Sequence, residues 1–186
     1  MNNSGIPIIT IDLVLDRLMI KDVLHGVLHM ILFHRLFGNI KPTTYEVLDV
    51  TMPGVGDTEI EKLVDEKVEA FRRGVEGGSS KKGQILITLS ERKSVKKWFS
   101  NFDEDTPWEK WSDSIINAEV KQPKTDKDRL TFNSALAATL ANALQTAVNY
   151  TSSEKGRAVV PAITDANKIS PFPYEIVVQI GNVQVT

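Results

Sequence analysis

Apolar and polar residues alternate near the start of the chain, the pattern of a half-buried β-strand. The alternation runs from Ile9 to Asp16 and fails only at Val14. Its core-facing positions are Ile9, Ile11, Leu13 and Leu15. The period then becomes helical and continues to a stop at Gly38-Asn39. The helical apolar positions are Ile20, Val23, Leu24, Val27, Leu28, Ile31 and Leu32, enough for a central helix that is buried on more than one side.

A second strand and a second helix follow. Tyr45–Met52 predicts the strand, which Pro53-Gly54-Val55-Gly56 ends. Asp57 or Thr58 can cap the helix, and Gly77-Gly78-Ser79-Ser80 ends it. The apolar stripe of this helix is Ile60, Leu63, Val64, Val68, Phe71 and Val75.

Two more strands and a long helix are predicted in the middle of the chain. Gln84–Ser90 is an apolar run typical of a strand buried on both faces, and Ser112–Val120 predicts a fourth strand. The third helix is predicted from Asp126 to Tyr150, followed by a hydrophilic break at Thr151–Gly156. One face of this helix would carry Leu130, Leu136, Leu140, Leu144 and Val148.

The C-terminal part of the chain predicts a β-hairpin. Val159–Ile163 is compatible with a short strand, and Tyr174–Ile180 is a stronger one. Gly181-Asn182 is a two-residue turn signal that leads into Val183-Gln184-Val185. The order of strands and helices predicts an α+β layer fold.

An aromatic stretch from Lys93 to Trp111 contains all three tryptophans and two of the seven phenylalanines. Basic residues precede these aromatics, acidic residues follow them, and Pro107 favours a loop. Trp108 and Trp111, three residues apart, would share one turn of helix, and we interpret them as anchors that hold a loop to the core. Trp98 and Phe99 lie beside Lys96-Lys97 and suit an exposed aromatic finger instead.

Composition narrows the function classes. A chain of 186 residues with 41% hydrophobic residues suits one domain, and a net charge of −2 gives no general attraction to nucleic acid or anionic lipid. The absence of cysteine excludes disulfides, thiolate metal ligands and a thiol nucleophile, and it fits an intracellular protein. No signal peptide is visible at the N-terminus, and the first helix carries too many polar groups for a membrane span.

Candidate chemistry is sparse. His25 and His29 have the i, i+4 spacing of a zinc-protease helix, but Gly26 stands where that motif needs a glutamate. The favoured interpretation is that both histidines hydrogen-bond locally at the margin of a buried helix, and that His34 lies at the surface. The acidic run Asp103-Glu104-Asp105 is expected to be a solvated loop, so no metal, cofactor or catalytic residue is predicted.

Four stretches together resemble the autophagy-related protein 101 family, HORMA-domain subunits of the kinase complex that initiates autophagy. The first is Val23–Arg35, VLHGVLHMILFHR, and the second is Val68–Arg72 followed by Gly77-Gly78. The third is the Lys93–Trp111 stretch with its Pro-Trp-Glu-x-Trp motif, which is the most specific of the four. The fourth is Pro171–Ile176 with Gln179-Ile180.

This resemblance implies a single HORMA domain over residues 1–186, with a β-sheet backed by three α-helices and a C-terminal β-hairpin. It implies no enzymatic activity and no cofactor. The expected partner is the HORMA domain of autophagy-related protein 13, which this subunit would bind as a heterodimer and stabilise in the cytoplasm and at the preautophagosomal structure. An aromatic finger would recruit downstream autophagy factors. Trp98 and Phe99 are its expected positions, with Phe102 as a competing candidate.

Two alternatives differ in mechanism. One is a peptide-clasping HORMA adaptor of the mitotic-checkpoint or meiotic kind, whose C-terminus would reorder around a bound peptide. The chain ends soon after the last hairpin, which leaves little material for such a belt. The other alternative is a small metal-dependent hydrolase that would use His25 and His29.

Overall fold

The computed structural model describes residues 9–97, 100–163 and 167–185, and within residues 91–115 it describes the pairing of the backbone. The elements in chain order are β1 Ile11–Asp16, α1 Ile20–Arg35, β2 Pro42–Val47, β3 Val50–Val55, α2 Thr58–Gly77, β4 Lys82–Lys97, β5 Ser100–Lys121, α3 Asp126–Ser152, α4 Glu154–Ala158, β6 Tyr174–Ile180 and β7 Val183–Val185. The α+β prediction is confirmed. In these described residues, no helix is both long enough and apolar enough to cross a membrane.

A five-stranded sheet forms one layer, with the strand order β1-β5-β4-β6-β7. β1 runs parallel to β5, and the other neighbours are antiparallel. The predicted alternation in β1 is confirmed, because Ile11, Leu13 and Leu15 are buried and Val14 is exposed. In β4, buried and half-buried residues alternate from Gly83 to Ser90, so the prediction of a strand fully buried on both faces is wrong.

Helix α1 occupies the centre of the protein. Every residue from Val23 to Leu32 is buried. The helix packs against β1, against α2 and α3, and against the hairpin formed by β2 and β3. This surrounding layer explains why the apolar residues of α1 exceed the single stripe of a surface helix. The prediction of a central helix is confirmed.

The predicted boundaries of α2 and the predicted start of α3 are also confirmed, but the predicted face of α3 is wrong at both ends. Leu136 and Leu140 are buried, whereas Leu130 and Val148 are 73% and 38% exposed. Consecutive residues of an α-helix are rotated by about 100° around its axis, so a residue four positions on is displaced by about 40°. Over the six residues from Leu130 to Leu136 and the twelve from Leu136 to Val148, the rotation leaves each exposed side chain about 120° away from Leu136. The face that packs inward is formed by Leu136, Leu140, Ala143 and Ala147.

The stretch predicted as one strand from Tyr45 to Met52 is a hairpin. β2 and β3 pair antiparallel, and Leu48 and Asp49 between them have φ angles of 49° and 62°. Two consecutive residues with positive φ are the signature of a type I′ turn, which Asn-Gly or Asp-Gly more often forms. Pro53 and Gly54 therefore lie inside β3 rather than at its end.

The described residues of the Lys93–Trp111 stretch, which was predicted as a loop with one helical turn, belong to the two long strands β4 and β5 instead. β6 pairs with β4 only over Gly83–Leu89, and β1 pairs with β5 only over Ile116–Lys121. Farther along, β4 and β5 pair with each other alone, from Ser90 opposite Pro107 to Lys97 opposite Ser100. We call this two-stranded ladder the arm. Its register shifts between Leu89 and Ser90, so Pro107 sits beside an irregularity, where a strand tolerates proline.

The region before β6 also differs from its prediction. Residues 151–156 were expected to form a break, but α3 extends to Ser152 and Ser153 caps the short helix α4 through the Gly156 N–H. The predicted strand at Val159–Ile163 is wrong, since those residues have no strand pairing. The C-terminal hairpin is confirmed, with Gly181 in its turn at a φ of 58°.

Candidate functional site

A partly buried polar network joins α1, the β2–β3 hairpin and α2. Helix α1 supplies His25 and His29 from consecutive turns, β2 supplies Tyr45, and α2 supplies Glu61. The two histidines were expected to bond locally at the helix margin. They are buried instead, at 9% and 0% exposure, and their carboxylate partner lies more than 30 residues away in the sequence.

The Glu61 carboxylate is the shared partner of the other three side chains in this network. His25 Nε2 lies 2.9 Å from Glu61 Oε1, and His29 Nε2 lies 3.2 Å from Glu61 Oε2. The Tyr45 hydroxyl donates to the same Oε2 at 2.9 Å. Burial would raise the pKa of Glu61, but these donors outweigh it, the Tyr45 hydrogen bond most of all, and the pKa is lowered. Glu61 therefore holds three separate elements together as an anion.

The tautomer of His29 follows from its second nitrogen. The Val55 N–H donates to His29 Nδ1 at 3.3 Å, so Nδ1 carries a lone pair and the ring proton is on Nε2, pointing to Glu61. Burial, assisted by the neighbouring His25, lowers the pKa of His29 to about 4. At neutral pH this ring is uncharged and both of its nitrogens are occupied.

Two glycines, Gly54 and Gly26, lie where an added side chain would meet closely packed neighbours. A Cβ atom at Gly54 would lie 2.2 Å from Cε2 of Tyr45, so the tyrosine ring packs directly on bare backbone of β3. A Cβ atom at Gly26 would lie 2.6 Å from Cε of Met52. Gly26 is the position at which a zinc-protease helix carries its general base, and here it faces packed core. The hydrolase alternative therefore lacks both its base and the space for one.

The network opens to solvent through a cavity of about 270 Å³. The side chains around it are Lys21, Asp22, His25, Tyr45, Glu46, Val47, Glu61 and Asp65. Asp65 stands one helical turn after Glu61, with its Oδ1 3.8 Å from His25 Nε2 and 3.7 Å from Lys21 Nζ. Acidic groups thus outnumber basic ones at this mouth.

The end of α1 is more buried than the sequence indicates. His34 was expected at the surface, but it is half-buried and burial lowers its pKa. Arg35 is 1% exposed, with its guanidinium carbon 5.4 Å from the centre of the Tyr150 ring, a distance at which a cation–π attraction operates. This contact joins α1 to α3.

Three of the aromatic residues singled out in the sequence, Phe102, Trp108 and Trp111, belong to β5. Trp98 and Phe99 lie outside the described residues. Phe102 is in the arm opposite Val95, and Trp111 is in β5 opposite Ile87, so Trp108 and Trp111 share a strand rather than a helical turn. Their role as anchors stays a prediction.

The structure brings the charged residues on the two sides of the aromatic residues together as pairs of opposite charge. The register pairs Arg92 with Asp105 and Lys93 with Glu104, so the basic run and the acidic run are cross-strand partners. Pairs of opposite charge at facing positions favour such a ladder. A basic run and an acidic run separated by a few aromatics was therefore a usable signal of the arm.

Comparison with known proteins agrees with the resemblance seen in the sequence. The sequence profile of the family described as "Autophagy-related protein 101" matches residues 12–167. A curated protein of that name from Arabidopsis thaliana is 29% identical over 188 aligned residues, which cover 90% of this chain and 84% of the relative. Another, from Schizosaccharomyces pombe, is 32% identical over 103 residues, which cover 55% of each protein.

Proposed function

The chain belongs to the autophagy-related protein 101 family, and we propose from this that it is a non-enzymatic scaffold subunit of the autophagy-initiation kinase complex. In this proposal it forms one HORMA domain over residues 1–186. It binds and stabilises the HORMA domain of autophagy-related protein 13, and an aromatic finger at Trp98 and Phe99 recruits downstream autophagy factors. It acts in the cytoplasm and at the preautophagosomal structure.

The arrangement of the layers supports a single HORMA domain. A five-stranded sheet carries three long helices on one side, and β6 and β7 form a C-terminal hairpin. One continuous apolar cluster contains buried residues from β1, β4, β5 and β6 and from all three long helices. A chain with one core folds as one domain.

The arm is the observation that carries the finger proposal. Its last described pair is Lys97 with Ser100, and the Trp98-Phe99 dipeptide is the sequence between them. In this proposal the dipeptide forms the finger, because large aromatic rings contribute strongly to interface hot spots.

Co-purification with the HORMA domain of autophagy-related protein 13 tests the heterodimer. We expect a one-to-one complex in size-exclusion chromatography with light scattering, and a higher melting temperature for this chain when the partner is present, since a ligand that binds only the native state stabilises it. Two separate monomers with unchanged melting curves would refute the dimerisation proposal. That outcome would leave the finger to be tested on its own.

The finger requires a variant that separates recruitment from folding. Trp98→Ala combined with Phe99→Ala is expected to change the stability by less than about 0.5 kcal/mol and to abolish capture of downstream factors. Phe102→Ala is the matched control, and loss of capture there alone would move the finger to that residue. Trp108→Ala should behave oppositely and cost about 3–5 kcal/mol if it is a core anchor.

A further inference from the structure

We propose that the mouth of the polar network binds one divalent transition-metal ion through His25, Glu61 and Asp65. His25 Nε2 is 2.9 Å from Glu61 Oε1 and 3.8 Å from Asp65 Oδ1. Ligand atoms held by Zn²⁺ at about 2.0–2.1 Å in a tetrahedral shell lie about 3.3 Å from one another. The two measured separations lie on either side of that value, and the Glu61 and Asp65 side chains are 44% and 45% exposed, so in this proposal the two carboxylates rotate towards one ion at His25.

The backbone presents these three groups on facing surfaces. Glu61 and Asp65 are four residues apart on α2 and share one face of that helix, and His25 projects from α1 towards both. Since α1 and α2 are packed helices, the spacing between the imidazole and the carboxylates is set by the core and not by loops. Rigid elements hold ligands in a defined geometry.

The remaining members of the network orient one of the ligands. Glu61 Oε2 accepts from Tyr45 and His29, which leaves Oε1 directed to His25 and the cavity. Partners that fix a ligating carboxylate in this way are a regular part of metal sites. His29 itself stays outside the shell, because its Nδ1 faces the Val55 N–H donor and its Nε2 therefore keeps the proton.

Charge favours a cation at this mouth. Glu61 and Asp65 repel each other across one helical turn, and Asp22 and Glu46 line the same cavity. Lys21 is the positively charged side chain around it, 3.7 Å from Asp65 and 65% exposed. A doubly charged ion offsets this excess of carboxylate, and the cavity of about 270 Å³ holds the ion together with water ligands.

The donor set indicates the class of ion. One imidazole nitrogen with two carboxylate oxygens suits Zn²⁺ and its first-row neighbours better than Mg²⁺ or Ca²⁺, which prefer oxygen alone. Binding requires the His25 tautomer that carries its proton on Nδ1, so that Nε2 offers its lone pair to the ion. No redox change or further reactant is involved. The inference is independent of the proposed function, because it rests on α1, α2 and β2 only.

The experiment is a calorimetric titration of the full chain with zinc chloride after treatment with a chelator. We expect one ion per chain, and at least a tenfold weaker affinity in Asp65→Asn, since loss of partners in a metal site costs about 10- to 100-fold. Asp22→Asn is the matched control, because it removes the same charge from the same cavity without removing a proposed ligand. It should bind zinc as the unchanged chain does.

Imidazole NMR of the same samples identifies the ligand. Zinc should shift the ring nitrogens of His25 and leave the tautomer of His29 unchanged. The proposal is overturned if the chain binds no stoichiometric zinc, if Asp22→Asn and Asp65→Asn weaken binding equally, or if the His25 signals do not respond. Equal weakening would show general attraction to an acidic surface rather than a site.

Discussion

Acidification tests the buried state of His29 more sharply than any substitution. The pKa of this ring is lowered from 6.5 to about 4 by burial and by the nearby His25. Between these two values the unfolded chain takes up a proton at position 29 and the folded chain does not. Stability is therefore lost as the pH falls from about 6.5 towards 4, and above 6.5 the contribution of this residue is constant.

The size of the loss follows from the difference between the folded and unfolded pKa. One pKa unit corresponds to about 1.4 kcal/mol, so the drop from 6.5 to about 4 is worth about 3 kcal/mol. His29 is fully buried, so solvent does not screen the effect. Glu61, whose pKa is lowered, acts in the same direction but at lower pH, because its contribution is lost only below the unfolded value of 4.5.

The assay is urea unfolding at a series of pH values, followed by far-ultraviolet circular dichroism. His29→Gln removes the titration while keeping an amide that can accept from Val55 and donate to Glu61. Between pH 6.5 and 4, we expect the free energy of unfolding of this variant to depend less steeply on pH, by up to about 1.4 kcal/mol per pH unit. His34→Gln is measured in the same way to separate the contribution of His34, because burial lowers the pKa of that histidine as well.

Direct titration of the ring decides the matter. The His29 imidazole signals should show the Nε2–H tautomer at pH 7 and a midpoint well below that of a free histidine. A midpoint near 6.5, or a slope that His29→Gln leaves unchanged, would refute the argument that this ring is buried, neutral and doubly hydrogen-bonded.

Three further predictions concern packing and helix capping, and each is checked by the urea midpoint of the variants. Gly54→Ala should cost about 1–3 kcal/mol by overpacking, because the added Cβ would lie 2.2 Å from the Tyr45 ring, and an unchanged midpoint would mean that the ring has room to move. Leu140→Ala should cost about 2–5 kcal/mol, because Leu140 is buried. Leu130→Ala should cost less than about 0.5 kcal/mol, because Leu130 is 73% exposed. Equal costs would contradict the inward face assigned to α3. Asp57→Ala should cost about 1 kcal/mol, since its carboxylate caps α2 at the Glu59 and Ile60 N–H groups, and Asp57→Asn should restore most of it.

Local periodicity was sufficient for elements whose burial repeats at a regular interval. Helices α2 and α3 begin at the N-caps Asp57 and Thr125, and a continuous helical period of apolar residues follows each cap. The arm could not be found in this way, because the sequence from Ser90 to Pro107 shows no regular apolar alternation. Its evidence is charge pairing across the two strands, as in Arg92 opposite Asp105, which becomes visible only when the strands are aligned.

The polar network shows a different limit. The spacing of His25 and His29 is plain in the sequence, but Tyr45 and Glu61 are ordinary surface residue types that become partners only when β2 and α2 dock on α1. No local pattern fixes the rotation of α2 about its axis well enough to set a donor–acceptor distance to the few tenths of an ångström that a hydrogen bond requires. Tertiary packing alone supplies that information.

The same network explains how one arrangement of the hairpin is selected. The core around α1 is apolar on all sides, and apolar contacts are not directional, so packing by itself would tolerate a hairpin shifted along the helix. Val55, in β3, and Tyr45, in β2, each donate a hydrogen bond into the network, and a shift would leave Nδ1 of the buried His29 without its donor and remove one donor from Glu61. An unsatisfied buried polar group costs about 1–3 kcal/mol, and more if it is charged. We therefore infer that the network fixes the position of the hairpin on α1, while the apolar core supplies most of the stability.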